Sequence, residues 1–128
     1  MRVLVVDGAN VVGSRPTGWW RDRPGAAARL HAQLAGAELG YDEVVLVLEG
    51  AATRGQRAGG DQGVRVVHAP GSGDDEIVAQ AGARAAEGHE VVVVTADRRL
   101  RERVEEVGGG WVGPAWLLER LDATGTDG

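Results

Sequence analysis

Cysteine is absent from the 128 residues. With it go any disulfide framework, any thiolate zinc site and any redox dithiol. Lysine is absent too, and every cationic side chain is Arg. That excludes a P-loop lysine, a Schiff-base lysine and a Ser–Lys dyad. The planar fork of Arg remains available to clamp phosphates, and codon bias in a GC-rich genome accounts for the exchange without a functional cause. Phe is missing, so aromatic packing falls to four Trp and a single Tyr. No apolar run approaches the ~18 residues of a membrane span. The first apolar stretch lacks a basic leader segment and runs into Asp7, so no signal peptide is expected. The expectation is a soluble cytoplasmic protein. A net charge of -5 argues against an indiscriminate duplex-coating protein, which would be basic.

What is present is an ordinary globular balance, 43% hydrophobic and 26% charged. The length suits one domain, expected over residues 1–121, with a flexible tail at 122–128. Three unbroken aliphatic runs stand out, and each ends near an acid. Val3–Val6 runs into Asp7-Gly8-Ala9-Asn10, Val44–Leu48 into Glu49, and Val91–Val94 into Thr95-Ala96-Asp97. Unbroken aliphatic runs are the mark of parallel strands buried on both faces. Strands are expected at 2–6, 43–48, 64–68 and 90–94, with a short fifth at 111–112. Helices are expected at 24–39, from the turn at 69–76 through 87, at 98–107 and at 115–121. Loops are expected from Gly8 to Arg23 and from Gly50 to Gly63. Alternation of this kind implies right-handed β-α-β units: an α/β protein, a three-layer α/β/α sandwich on a mainly parallel, Rossmann-like sheet.

Ligands in such sheets bind beyond the carboxyl ends of the strands. Acids gathered there either hold a divalent cation or repel one another. Asp7 follows four aliphatic residues with no helix expected next to use it as a cap, and an unpaired carboxylate at a buried strand end is costly. Asn10 either orients Asp7, contacts substrate or only forms the turn. Asp74-Asp75-Glu76 opens a helix, where acids favour the dipole and Ser72 offers a capping box. Three acids exceed that need, and Asp74 is the preferred site residue, with Asp75 second. Asp97 either caps the following helix or joins Asp7, and Thr95 projects the same way to support the carboxylate or a water. Glu49 is either a ligand on a longer arm or a solvated turn residue.

Trp19 and Trp20 lie among Arg15, Arg21 and Arg23, where indoles stack bases of a single strand or pack on the core. Arg54 and Arg57 in the second loop, and Arg98 and Arg99 after Asp97, suit a phosphate-bearing substrate or ordinary surface charge. His31, His68 and His89 have no second His at ligand spacing and are not expected to bind metal.

The ordered set Val6-Asp7-Gly8-Ala9-Asn10, Gly73-Asp74-Asp75-Glu76-Ile77 and Val94-Thr95-Ala96-Asp97-Arg98 resembles the PIN-like nuclease superfamily, most closely its NYN branch with the YacP-like group. The resemblance runs in outline over residues 1 to 121. It implies an α/β/α sandwich whose strand-end acids hold Mg²⁺ or Mn²⁺ and cut RNA. Metal-binding acids carry over to Asp7, Asp74 and Asp97, with Asp75 and Glu49 as further candidates, and the polar helper to Asn10. The chain departs from that pattern at Glu49, where many relatives have Asp. It departs again at Arg99 and Leu100, where a further acid is missing, which implies one metal rather than two.

The expected function is therefore a metal-dependent ribonuclease acting on single-stranded RNA. Arg54, Arg57, Arg15 and Thr95 are the expected substrate contacts. A nucleotide phosphatase or pyrophosphohydrolase is one alternative. A catalytically degenerate RNA- or protein-binding module is another. A haloacid-dehalogenase site would need an acid at Ala9, and a receiver domain would need paired acids and a Lys. The oligomeric state, a homodimer included, is left open by the sequence.

Overall fold

The structure, a computed structural model, describes residues 1–125. β1 is Arg2–Asp7, β2 Glu43–Leu48, β3 Gly59–Asp61, β4 Val64–His68, β5 Glu90–Val94 and β6 Gly110–Val112. α1 is Gly8–Gly13, α2 Arg23–Gly36, α3 Gly73–Ala86, α4 Arg98–Glu106 and α5 Pro114–Gly125, with 3₁₀ turns at Trp19–Arg21 and Gly50–Gly55. One six-stranded sheet has the order β3-β4-β2-β1-β5-β6. All pairs are parallel except β3 with β4.

The aliphatic runs explain the layering. Successive side chains in a strand point to opposite faces, so each run feeds two cores. Leu4, Val6, Leu46, Leu48 and Val94 pack under Ala27, Leu30 and Leu34 of α2 and Leu117 and Leu121 of α5. Val3, Val5, Val45, Val47, Val91 and Val93 pack under Ile77 and Ala81 of α3 and Leu100 and Val104 of α4. The result is the α/β/α sandwich expected of the sequence. β1 sits inside the sheet, with Asp7 opposite Val47 on one side and Val6 opposite Val94 on the other. The chain runs to one side of β1 through β2 and β4, then returns past it to β5. The carboxyl ends of β1, β2 and β5 therefore meet at the crossover point, where such sheets place ligands.

Several local expectations are corrected. The stretch after Asp7 is not a loop, because α1 starts at Gly8. α2 does not reach the expected end at 39 but stops at Gly36 with Ala37 extended behind it. The loop after β2 contains a 3₁₀ turn and the short antiparallel β3. α5 continues to Gly125, past the expected end at 121, so the first part of the expected tail is helical. Residues 126–128 of that tail lie outside the described residues. Among the described residues no helix is long and apolar enough to cross a membrane.

Candidate active site

The site is built from β1 outward. Asp7 is the last residue of β1 and is buried, 7% exposed. Its Oδ1 accepts from Asn10 N–H at 3.3 Å, which makes it the N-cap of α1. Its Oδ2 accepts from the Thr95 hydroxyl at 3.0 Å. The Thr95 oxygen in turn accepts from Asp97 N–H at 3.1 Å. Asn10 Oδ1 accepts from Ala96 N–H at 2.8 Å, tying α1 to the end of β5. Two motifs about ninety residues apart in the chain thus lock together.

Two neighbouring acids are held by helix starts. Asp97 Oδ1 accepts from Leu100 N–H at 2.9 Å and caps α4. Glu49, just beyond β2, reaches across so that its Oε2 accepts from Gly73 N–H at 2.7 Å, at the first turn of α3. Gly73 is required for that approach. A Cβ there would lie 2.9 Å from the Glu49 carboxyl carbon. Asp74, the next residue, is half-buried and its carboxylate makes no hydrogen bond among the described residues.

The electrostatics link these acids. Burial pushes the Asp7 carboxyl up from 3.8 to about 6; the Asn10 and Thr95 hydrogen bonds oppose that shift, while Asp74 and Glu49 add to it. Asp74 is also raised, first by burial and then by Asp97 and Glu49, with Arg103 opposing. Asp7, Glu49, Asp74 and Asp97 therefore share one electrostatic neighbourhood. No cation pairs with Asp7 among the described residues.

Hard carboxylate oxygens with no His or Cys among them fit Mg²⁺ or Mn²⁺ in donor chemistry. As the side chains stand, however, no group of three His, Cys, Asp or Glu among the described residues is assembled to hold an ion. Asp97 and Glu49 each have one oxygen committed to a helix N-terminus, and Asp7 has both engaged.

Other expected site residues fall differently. Asp75 turns away and pairs with Arg103 at 2.9 Å, leaving Asp74 as the acid of the three that Asp7 feels. Thr95 is fully buried with its hydroxyl spent on Asp7 and Asp97, so it positions carboxylates and does not reach substrate. Arg15 is tied to Asp122 of α5 at 2.7 Å and is not a free phosphate clamp. Arg54 and Arg57 are exposed in the segment that follows Glu49 and enter no salt bridge among the described residues. Trp19 is half-buried and Trp20 exposed, edge-on at 6.1 Å. Sequence reasoning missed Arg101. Its Nε donates to the Thr95 carbonyl at 2.9 Å while its guanidinium lies 3.8 Å over Trp111, bracing the end of β5. An Arg three residues into a charged helix carried no signal of that.

No family model matches the chain, and no curated protein matches it in sequence. Its fold is that of a solved structure, Rae1 (YacP) from Bacillus subtilis, at a TM-score of 0.81 and 20% identity. The match spans 99% of this chain and 77% of that one. A tryptophan-to-leucine variant of Rae1 matches at 0.78 and 20% identity, over 99% and 79% of the two chains.

Proposed function

We propose that this chain, on its YacP-like fold, is a divalent-metal-dependent nuclease that cleaves single-stranded RNA. The observation that carries the proposal is Asp7, a buried carboxylate with raised pKa, surrounded by acids and without a cationic partner. Such a group is costly to keep unless something positive joins it. Asp7, Asp74 and Asp97 would hold Mg²⁺ or Mn²⁺, with Glu49 in reserve at the helix N-terminus. The cation would supply charge stabilisation at the phosphoryl group undergoing attack. The protein's own part is positional. Thr95 and Asn10 fix the Asp7 carboxylate, and Arg54 or Arg57 steadies the backbone of the RNA by bidentate contact. Motif order and strand context, which resemble the NYN branch, support RNA as the substrate.

The test is cleavage of a labelled single-stranded RNA in Mn²⁺ by the native chain and by Asp7→Asn. Cleavage by the native chain and loss of at least about a hundredfold in the variant is expected, the scale of removing a metal ligand or its orienting partner. Equal cleavage by both, or by neither, overturns the proposal. One observation favours a second reading, that of a degenerate RNA-binding module: no three carboxylates are already assembled. That reading expects RNA binding indifferent to chelator and to Asp74→Asn.

A further inference from the structure

We infer that the cavity beside the acidic site is a nucleobase subsite, in which Trp19 stacks the base and Glu49 reads its hydrogen-bonding edge; this rests on the nuclease reading. The cavity has a volume of about 360 Å³ and shares Gly8 and Glu49 with the carboxylate site. That volume lies within the ~300–1,000 Å³ of small-molecule sites. Its apolar wall includes Val12, Leu48 and Ala52, and Trp19 and Arg23 also line it. Apolar walls with an indole and a guanidinium suit an aromatic ring better than a phosphate or a sugar. The Arg23 guanidinium lies over the Trp19 ring, 5.4 Å from its centre, so a base would stack on the ring's other face. Trp20 meets Trp19 at 87° and not in a stack, which leaves more π surface for a third ring than a parallel pair would.

Glu49 supplies the polar element. Its Oε2 is taken by Gly73 N–H, and its Oε1 has no hydrogen-bond partner among the described residues. An oxygen held in this way accepts from a ring N–H or an exocyclic amino group and repels a carbonyl-only edge. Guanine, with two adjacent donors, fits best, and uracil, with one donor between two carbonyls, fits worst. The base in this cavity would belong to a nucleotide whose backbone passes the Asp7 rim, because Gly8 and Glu49 border both. Among the described residues, those that form the acidic site include no aromatic side chain, so base selection falls to this cavity.

The experiment uses the intact chain in chelator, with uncharged nucleosides, so that neither metal nor phosphate repulsion contributes. Guanosine is titrated against tryptophan fluorescence, with uridine beside it. Expected are quenching by guanosine, severalfold weaker binding of uridine, and loss of about tenfold or more in affinity in Ala52→Leu, which fills the cavity, and in Trp19→Leu. Glu49→Gln should erase the preference between the two nucleosides. Circular dichroism verifies folding, and Ala52→Leu carries the test where Trp19→Leu is unfolded. Guanosine binding unchanged in Ala52→Leu, a preference that survives Glu49→Gln, or no binding at millimolar guanosine overturns the subsite. RNA cleavage proceeding at the same rate in Ala52→Leu as in the native chain overturns the subsite and leaves the nuclease standing. Guanosine binding without any cleavage in Mn²⁺ does the reverse.

Discussion

At the scale of single residues, Asp7 sets a conflict between stability and chemistry. Its carboxyl titrates near 6 in the folded chain against 3.8 as an ordinary group, chiefly because it is buried. The folded chain therefore keeps a proton between those values that the unfolded chain has released. Stability is expected to rise as pH falls through 6 and to level off below about 4. The span corresponds to on the order of 2–3 kcal/mol. Asp7→Asn removes the charge and keeps a side-chain oxygen for Asn10 N–H. In metal-free buffer at pH 7.5 the variant should melt above the native chain, and the difference should vanish near pH 4. Urea titrations at several pH values measure it, and a native chain that loses stability on mild acidification relative to the variant counts against it. Asp7 was legible in the sequence because four aliphatic residues deliver it to a strand end. Its second role was not: α1 is six residues long and carries Gly at both ends, so no periodic pattern announced the helix that Asp7 caps.

At the scale of elements, glycines decide how closely the strand ends approach. A Cβ on Gly8 would stand 2.7 Å from the Val47 carbonyl, a backbone atom that cannot step aside. A Cβ on Gly73 would meet the carboxylate end of Glu49, which can swing. Gly8→Ala is therefore expected to destabilise by about 1–3 kcal/mol, the cost of overpacking a rigid site. Gly73→Ala should cost less than about 1 kcal/mol yet displace Glu49 from the start of α3. Thermal melts of the two variants, compared side by side, check the order. Long strands and the helices α2 to α4 were readable because their aliphatic content switches between unbroken runs and a 3.6-residue period. β3 was not, since Gly59-Gly60-Asp61 has no strand propensity and is held only by pairing with Val64–Val66. Asp75 was read as a second candidate beside Asp74 because sequence alone does not say how far around a helix start each side chain turns. Arg103, on the neighbouring helix α4, settles that by drawing Asp75 outward.

At the scale of the whole molecule, the acids Asp7, Glu49, Asp74 and Asp97 come from four separate stretches of chain, and folding brings their charges together. A ligand that binds only the folded form stabilises it by mass action. Mn²⁺ at about a hundred times its dissociation constant is expected to add ~2.7 kcal/mol. Differential scanning fluorimetry should show a rise in Tm for the native chain and none for Asp7→Asn. An equal rise in both, or no rise in either at millimolar Mn²⁺, removes the case for a cation at this rim. The layering followed from sequence pattern because it is set by which faces are apolar, whereas the strand order came only from the pairing in the structure. The shape of the cavity beside Glu49 did not, because it depends on how α2, the 3₁₀ turns and the sheet rim abut.

The position of β1 carries one more consequence. Its partners are β2, some forty residues downstream, and β5, almost ninety downstream. During synthesis Asp7 is made 88 residues before Thr95, the side chain whose hydroxyl holds it. Contacts so distant close late and slowly. A fragment lacking β5 carries Asp7 without the Thr95 hydroxyl that holds it, so the acidic rim takes its form only once β5 has joined β1.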